Sequence, residues 1–137
     1  MPVKKKAKRR SPGSTPKAFV VPEEMKRWAA LLAGEVAGWP QVTQRKMFGM
    51  TSFYRRGTIF AAVPDKKAFF SPTSFIFKLQ APSVRQQKFL IHDRRINASF
   101  GIGQKWYGFE LHSDEDLHGA LEWLGEAFEA ARKKPTA

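Results

Sequence analysis

The 137-residue chain contains no cysteine. That excludes disulfides, thiolate nucleophiles and cysteine-based zinc sites, and it fits a reducing compartment. Nor is there an apolar run near the roughly 20 residues that a membrane-spanning helix needs. The opening MPVKKKAKRR has the form of a signal-peptide n-region, but AFVV at Ala18 to Val21 is far too short for the apolar stretch that should follow. A cytoplasmic protein with no membrane partner is expected. Recognisable catalytic loops are missing too. GIGQKW, Gly101 to Trp106, lacks the third glycine of a dinucleotide fingerprint and the Lys-Ser/Thr of a phosphate loop, and no G-x-S-x-G elbow occurs.

What is present in excess is positive charge, 24 Lys and Arg against 12 Asp and Glu, for a net +12. It is unevenly placed. Residues 1–17 hold Lys4, Lys5, Lys6, Lys8, Arg9, Arg10 and Lys17 and no acid, while residues 40–112 carry +9 and the two flanking segments, 18–39 and 113–137, are slightly acidic. Such a field attracts phosphate-rich polymers. The opening KKKAKRRSPGSTPK offers nothing to bury and reads as a disordered basic tail over residues 1–17, followed by a single domain over 18–137.

Periodicity divides that domain. Met25, Trp28, Ala29, Leu32 and Val36 recur at helical spacing after Pro22, Glu23 and Glu24, predicting a helix from Pro22 to Ala37 that Gly38 and Pro40 stop. From Gln44 the pattern shortens to RKMF, TSFY, TIFAAV and SFIFKL, which predicts three or four antiparallel strands, with Arg56-Gly57 as a tight hairpin turn. Ser83 caps a short helix to Leu90, a polar connection runs through His92 to Arg95, and Lys105 to Leu111 alternate as a further strand. Ser113 with Asp116 has the form of a capping box before a last helix whose stripe is Leu117, Ala120, Leu121, Leu124, Phe128 and Ala131. The expected fold class is α+β, an antiparallel sheet with helices packed on one face and the other face open.

Chemistry has little to work with. His92-Asp93 offers an acid/base pair, and His112 and His118 near Asp114 and Asp116 offer metal ligands. The two aspartates already suit a helix N-terminus, so all three histidines are read as structural, with no catalytic residue, metal or cofactor expected. The basic pairs Arg45-Lys46, Arg55-Arg56, Lys66-Lys67 and Arg94-Arg95 alternate with Phe48, Phe53, Tyr54, Phe60, Phe69, Phe70, Phe75 and Phe77. Cations can neutralise phosphates while exposed rings stack on bases. Since neighbours on a strand face opposite ways, most of those rings are read as core and one cation of each pair as surface.

The segment MFGMTSFYRRGTIFAAV resembles the strand-turn-strand signature of the TfoX N-terminal domain and the MmcQ/YjbR-like groups, through Phe48-Gly49 and Phe60-Ala61. WYGFELHSDEDLHGALEWLGEAFEAA, a strand leading into a C-terminal helix, is similar to the same grouping, and Met50 stands where a second glycine often follows Phe-Gly. The resemblance implies a YjbR-like two-layer sandwich without a catalytic centre, and a regulatory or DNA-binding role. The function expected is a non-enzymatic domain associating non-specifically with DNA or RNA. Its contacts would be Lys4, Lys5, Lys6, Lys8, Arg9 and Arg10 in the tail, and Arg45, Arg55, Arg56, Lys66, Lys67, Arg94 and Arg95 on the folded part. The alternative is a protein-interaction or small-ligand module in which an exposed aromatic portion of the sheet, with Trp106 or Tyr107 at its edge, receives a partner; an apolar concavity lined by those residues would favour it.

Overall fold

A computed structural model describes residues 18–69, 71–100 and 105–131. Eight strands and three helices follow in the order β1 (Ala18–Val20), α1 (Glu23–Ala37), β2 (Val42–Met47), β3 (Met50–Arg55), β4 (Thr58–Pro64), β5 (Lys67–Phe69), β6 (Ser74–Lys78), α2 (Val84–His92), β7 (Ile96–Phe100), β8 (Trp106–Glu110) and α3 (Asp116–Ala130). The fold is α+β. Six antiparallel strands form one sheet in the order β2-β3-β4-β6-β8-β7, and β1 pairs with β5 in a separate two-stranded ribbon.

Alternation along the central strands decides which face the helices cover. Phe53, Ala61, Val63, Phe75, Phe77 and Phe109 point to one side and are buried against Met25, Trp28, Leu32 and Val36 of α1 and Ala120, Leu124, Ala127 and Phe128 of α3. Rings carry much of this core: Phe75 stacks on Phe109 at 5.2 Å, Phe77 on Trp123 at 5.4 Å, and Phe60 meets Phe128 edge-on at 5.8 Å. Such pairs add about 0.5–1.5 kcal/mol each beyond their buried area. A bulge makes room for one of them. Phe53 lies opposite Ala61 and Tyr54 opposite Ile59, so Phe60 is the extra residue, and Phe60 and Ala61 both reach the same core.

The other face is not simply open. At its centre Met50, Ala62 and Ile76 are buried in a smaller cluster with Phe69 and Trp106 packed against it, and Ser52 is also buried. Among the described residues, the rings packed against this cluster are those of Phe69 and Trp106. The expectation that most of the interleaved phenylalanines fill the core holds for Phe53, Phe60, Phe75 and Phe77; Phe70 lies outside the described residues.

Helix ends follow the sequence unevenly. Pro22 precedes α1 in extended conformation and Glu23 and Glu24 fill its first turn, as expected. Ser83 caps α2 in a full capping box with Gln86, and the helix runs two residues further than its pattern predicts, to His92. At α3 the expected Ser113–Asp116 box is absent. Glu115 is the N-cap without a side-chain bond, because Asp116 turns back to accept from the His112 N–H at 2.8 Å and to face Arg95. Asp114 is drawn to α1 instead, accepting from Trp28 Nε1 at 2.6 Å and Arg27 Nη2 at 2.9 Å.

Candidate nucleic-acid interface

The β2–β3 connection is a two-residue hairpin, Phe48-Gly49, with Met47 opposite Met50. Both central residues have positive φ, 57° and 79°, the signature of the tight turn that matches the twist of paired strands. Glycine accepts that conformation freely, but a bulky L-residue pays about 1–2 kcal/mol for it. Phe48 is nevertheless 81% exposed. Strain and an unburied ring coincide at one residue.

The surroundings of that ring are basic. The Gly49 carbonyl accepts from the N–H groups of Asp65, Lys66 and Lys67 at 3.0, 2.7 and 3.0 Å, which ties the β4–β5 turn to the hairpin tip. Lys67 lies over Gly49, so a Cβ there would stand 2.7 Å from Lys67 Cγ. Lys46 reaches the same turn through Asp65, Nζ to Oδ2 3.3 Å. Lys66 and Lys67 are exposed and form no ion pair among the described residues. Three lysines and one aspartate therefore gather at the tip beside Phe48. Arg45 follows on β2, its guanidinium 5.8 Å from the centre of the half-buried Tyr54 ring.

The other expected contacts scatter. Arg56 is exposed in the β3–β4 turn, at the far end of the same hairpin. Arg94 is exposed beyond α2. Two positions are engaged within the fold rather than free at the surface. Arg55 is buried at 9% exposure, with its guanidinium 3.9 Å from the Phe128 ring centre and Nη1 donating to the Phe128 carbonyl at 3.0 Å. A cation on the helix-facing side of a strand can be buried only with such partners. Arg95 is likewise consumed: Nε and Nη2 donate to Asp93 at 2.9 and 3.1 Å, and Nη1 to Asp116 at 3.4 Å. The tail positions Lys4, Lys5, Lys6, Lys8, Arg9 and Arg10 lie outside the described residues.

The Asp93–Arg95 ion pair, 2.9 Å between Oδ1 and Nε, has a structural chemistry. Burial alone would raise the Asp93 carboxyl, but hydrogen bonds from Arg95 and Trp123 hold it below its ordinary range. The bond to Asp93 raises Arg95, against the effect of burial and with Asp116 adding to it. Both groups stay fully charged, which suits a clamp between the β7 entry and α3 rather than a proton shuttle. His92 is exposed at the end of α2, while Asp93 is committed to Arg95. His112 and His118 are exposed beside Glu110 and Glu122 at 3.8 and 3.4 Å. Among the described residues no group of three or more potential ligands could hold a metal ion, and no helix is long and apolar enough to cross a membrane.

An apolar concavity does exist, though not at the expected place. Tyr107 stacks on Phe77 in the core and Trp106 belongs to the outer cluster, whereas the concavity lies between α2 and α3, with a volume of about 750 Å³. Sequence reasoning missed it because its walls come from three separate segments. Comparison with protein-family models, with curated proteins and with solved structures finds no match.

Proposed function

We propose that this chain is a non-enzymatic, cytoplasmic module that associates with single-stranded nucleic acid through the Phe48 hairpin tip. The observation that carries the reading is the exposed Phe48 ring, held in a costly backbone conformation among Lys46, Lys66 and Lys67. At 81% exposure the ring gains little from the chain's own core. An unpaired base would cover it: stacking on an aromatic ring is worth about 1–3 kcal/mol per base, and neighbouring ammonium groups meet the phosphates on either side. Arg45 continues the cationic surface from the tip along β2, Arg56 would add a separate contact at the far end of β3, and the basic residues of the tail would add contacts of the same kind. Recognition would be by stacking and charge, with little sequence selectivity. The likeness to TfoX N-terminal and YjbR-like domains fits a regulatory setting for such binding.

The test is fluorescence anisotropy with a labelled single-stranded oligonucleotide over a salt series, using the full chain. Phe48→Ala should weaken binding by about tenfold, within the range of one stacked base. Lys66→Ala with Lys67→Ala should flatten the dependence of log K on log salt by about 1.4, two phosphate contacts at roughly 0.7 each. If Phe48→Ala binds like the parent, or if anionic vesicles bind and oligonucleotides do not, the reading is wrong. A protein-interaction or small-ligand role is the second reading, favoured by the groove between α2 and α3.

A further inference from the structure

That groove carries features which packing within the chain does not explain. Its apolar walls are Trp39 from the α1–β2 connection, Phe89 of α2, and Trp123 and Phe128 of α3. A volume of about 750 Å³ is within the range of small-molecule sites. Phe89 is 55% exposed, and α2 has no fully buried residue; the helix meets the main core through the partly buried Leu90 and is tied to α3 by Gln86 Nε2, which donates to Glu126 Oε1 at 2.6 Å. The α3 wall presents Glu122, Glu126 and Glu129 at helical spacing; Glu126 accepts from Gln86 and Glu122 lies 3.4 Å from His118 Nε2, while Glu129 is exposed. Against them stands Arg85, already laid on the Phe89 ring at 5.3 Å, while Asp93 and Arg95 neutralise each other at one end.

Gly125 supplies an independent observation. It sits mid-helix in α3, where glycine is unfavourable relative to alanine, and a Cβ there would meet nothing within 4 Å. No neighbour requires the glycine. Gly119 on the same helix has such a neighbour in Arg95, and Gly34 of α1 is as unconstrained as Gly125 but does not line this groove. At position 125 the missing side chain leaves the groove floor bare between Glu122 and Glu129.

We propose that the α2–α3 groove binds a small amphiphilic organic cation, an apolar body carrying an ammonium or guanidinium group. The body lies over Gly125 between Trp39 and Trp123, and the charge meets Glu122 and Glu129 at the mouth. Aromatic faces and carboxylates both favour a cation, and they act most strongly where water is displaced. This site is separate from the Phe48 tip, so it stands or falls independently of nucleic-acid binding.

The probe is phenethylammonium, with 3-phenylpropionate as an anion of matching size, followed through the indole N–H signals of the full chain by NMR. The cation should shift Trp39 and Trp123 saturably and leave Trp28 and Trp106 unmoved, while the anion should not saturate. Glu122→Gln with Glu129→Gln should weaken the cation at least about fivefold. Gly125→Leu should abolish binding while the melting temperature holds or rises, because leucine favours the helix and fills the floor. Equal binding of the anion, saturable shifts at Trp28 or Trp106 alone, no saturable shift by the cation, or unchanged affinity in either folded variant would overturn the proposal.

Discussion

The guanidinium of Arg95 lies where a side chain on Gly119 would begin: a Cβ at that glycine would stand 2.5 Å from Nη1 and 2.7 Å from Nη2. The arginine cannot simply move aside, because Asp93 and Asp116 hold it and its guanidinium sits 4.9 Å from the Phe109 ring centre. Gly119→Ala should therefore destabilise the protein by about 1–2 kcal/mol, since disturbing a charge-assisted bond outweighs the roughly 0.5–1 kcal/mol that alanine contributes to a helix. With Arg95→Ala already made, the same substitution should become stabilising. Urea unfolding of the four proteins in this cycle measures the change of sign.

Acid should act through the same clamp. Asp93 is held below its ordinary range in the folded protein, so the unfolded chain binds more protons as pH falls. Its contribution is complete above the unfolded value, about pH 4, and is lost as pH drops through the lower folded value. Asp93→Asn should cost about 1–3 kcal/mol at pH 7, where it leaves Arg95 and Trp123 with a weaker acceptor. The gap between variant and parent should narrow below about pH 4. A constant gap from pH 7 to pH 3 would show that the carboxylate charge is not what the clamp uses.

Two hairpin glycines separate backbone strain from close packing. Gly49 and Gly57 have nearly equal φ, 79° and 83°, but a Cβ at Gly49 would press on Lys67 while one at Gly57 would meet nothing within 4 Å. Both alanine variants should lose about 1–2 kcal/mol to the left-handed conformation. Gly49→Ala should lose more, because the Gly49 carbonyl also anchors the β4–β5 turn through three N–H groups. Thermal or urea unfolding of the pair gives the difference directly.

How far the sequence could be read depends on whether its signals were local. The turn chemistry of Arg56-Gly57 and the cap at Ser83 each act within a few residues, and both appear where their residues predict. The capping box at Ser113 does not, because Asp116 is recruited by Arg95, 21 residues away, and by the His112 backbone. Strands β1, β5 and β7 were missed for a similar reason: AFV, KAF and INASF have little pattern of their own, and they form by pairing across the fold, β1 with β5 and β7 with β8. At the candidate interface, the basic pairs and rings were visible as residue types. Which of them survive at the surface was not, because the bulge at Phe60 and the carbonyl of Phe128 belong to the assembled fold.

The neighbouring arginines of the β3–β4 turn put that distinction to a test. They are chemically identical, and a charge-based view of nucleic-acid binding treats them alike. Arg55 lies beneath the end of α3, stacked on Phe128 and bonded to its carbonyl, with Gln41 Oε1 accepting from Nε at 3.3 Å. Arg56 is exposed at the turn. Arg55→Ala should cost about 2–3 kcal/mol, from lost packing and an abandoned buried carbonyl. Arg56→Ala should stay within about 0.5 kcal/mol of the parent. Oligonucleotide affinity should divide the other way: at a temperature where both variants are folded, Arg56→Ala should flatten the salt dependence and Arg55→Ala should leave it unchanged. If both variants flatten it equally, Arg55 reaches phosphate after all, and its seat against Phe128 would have to open when nucleic acid binds.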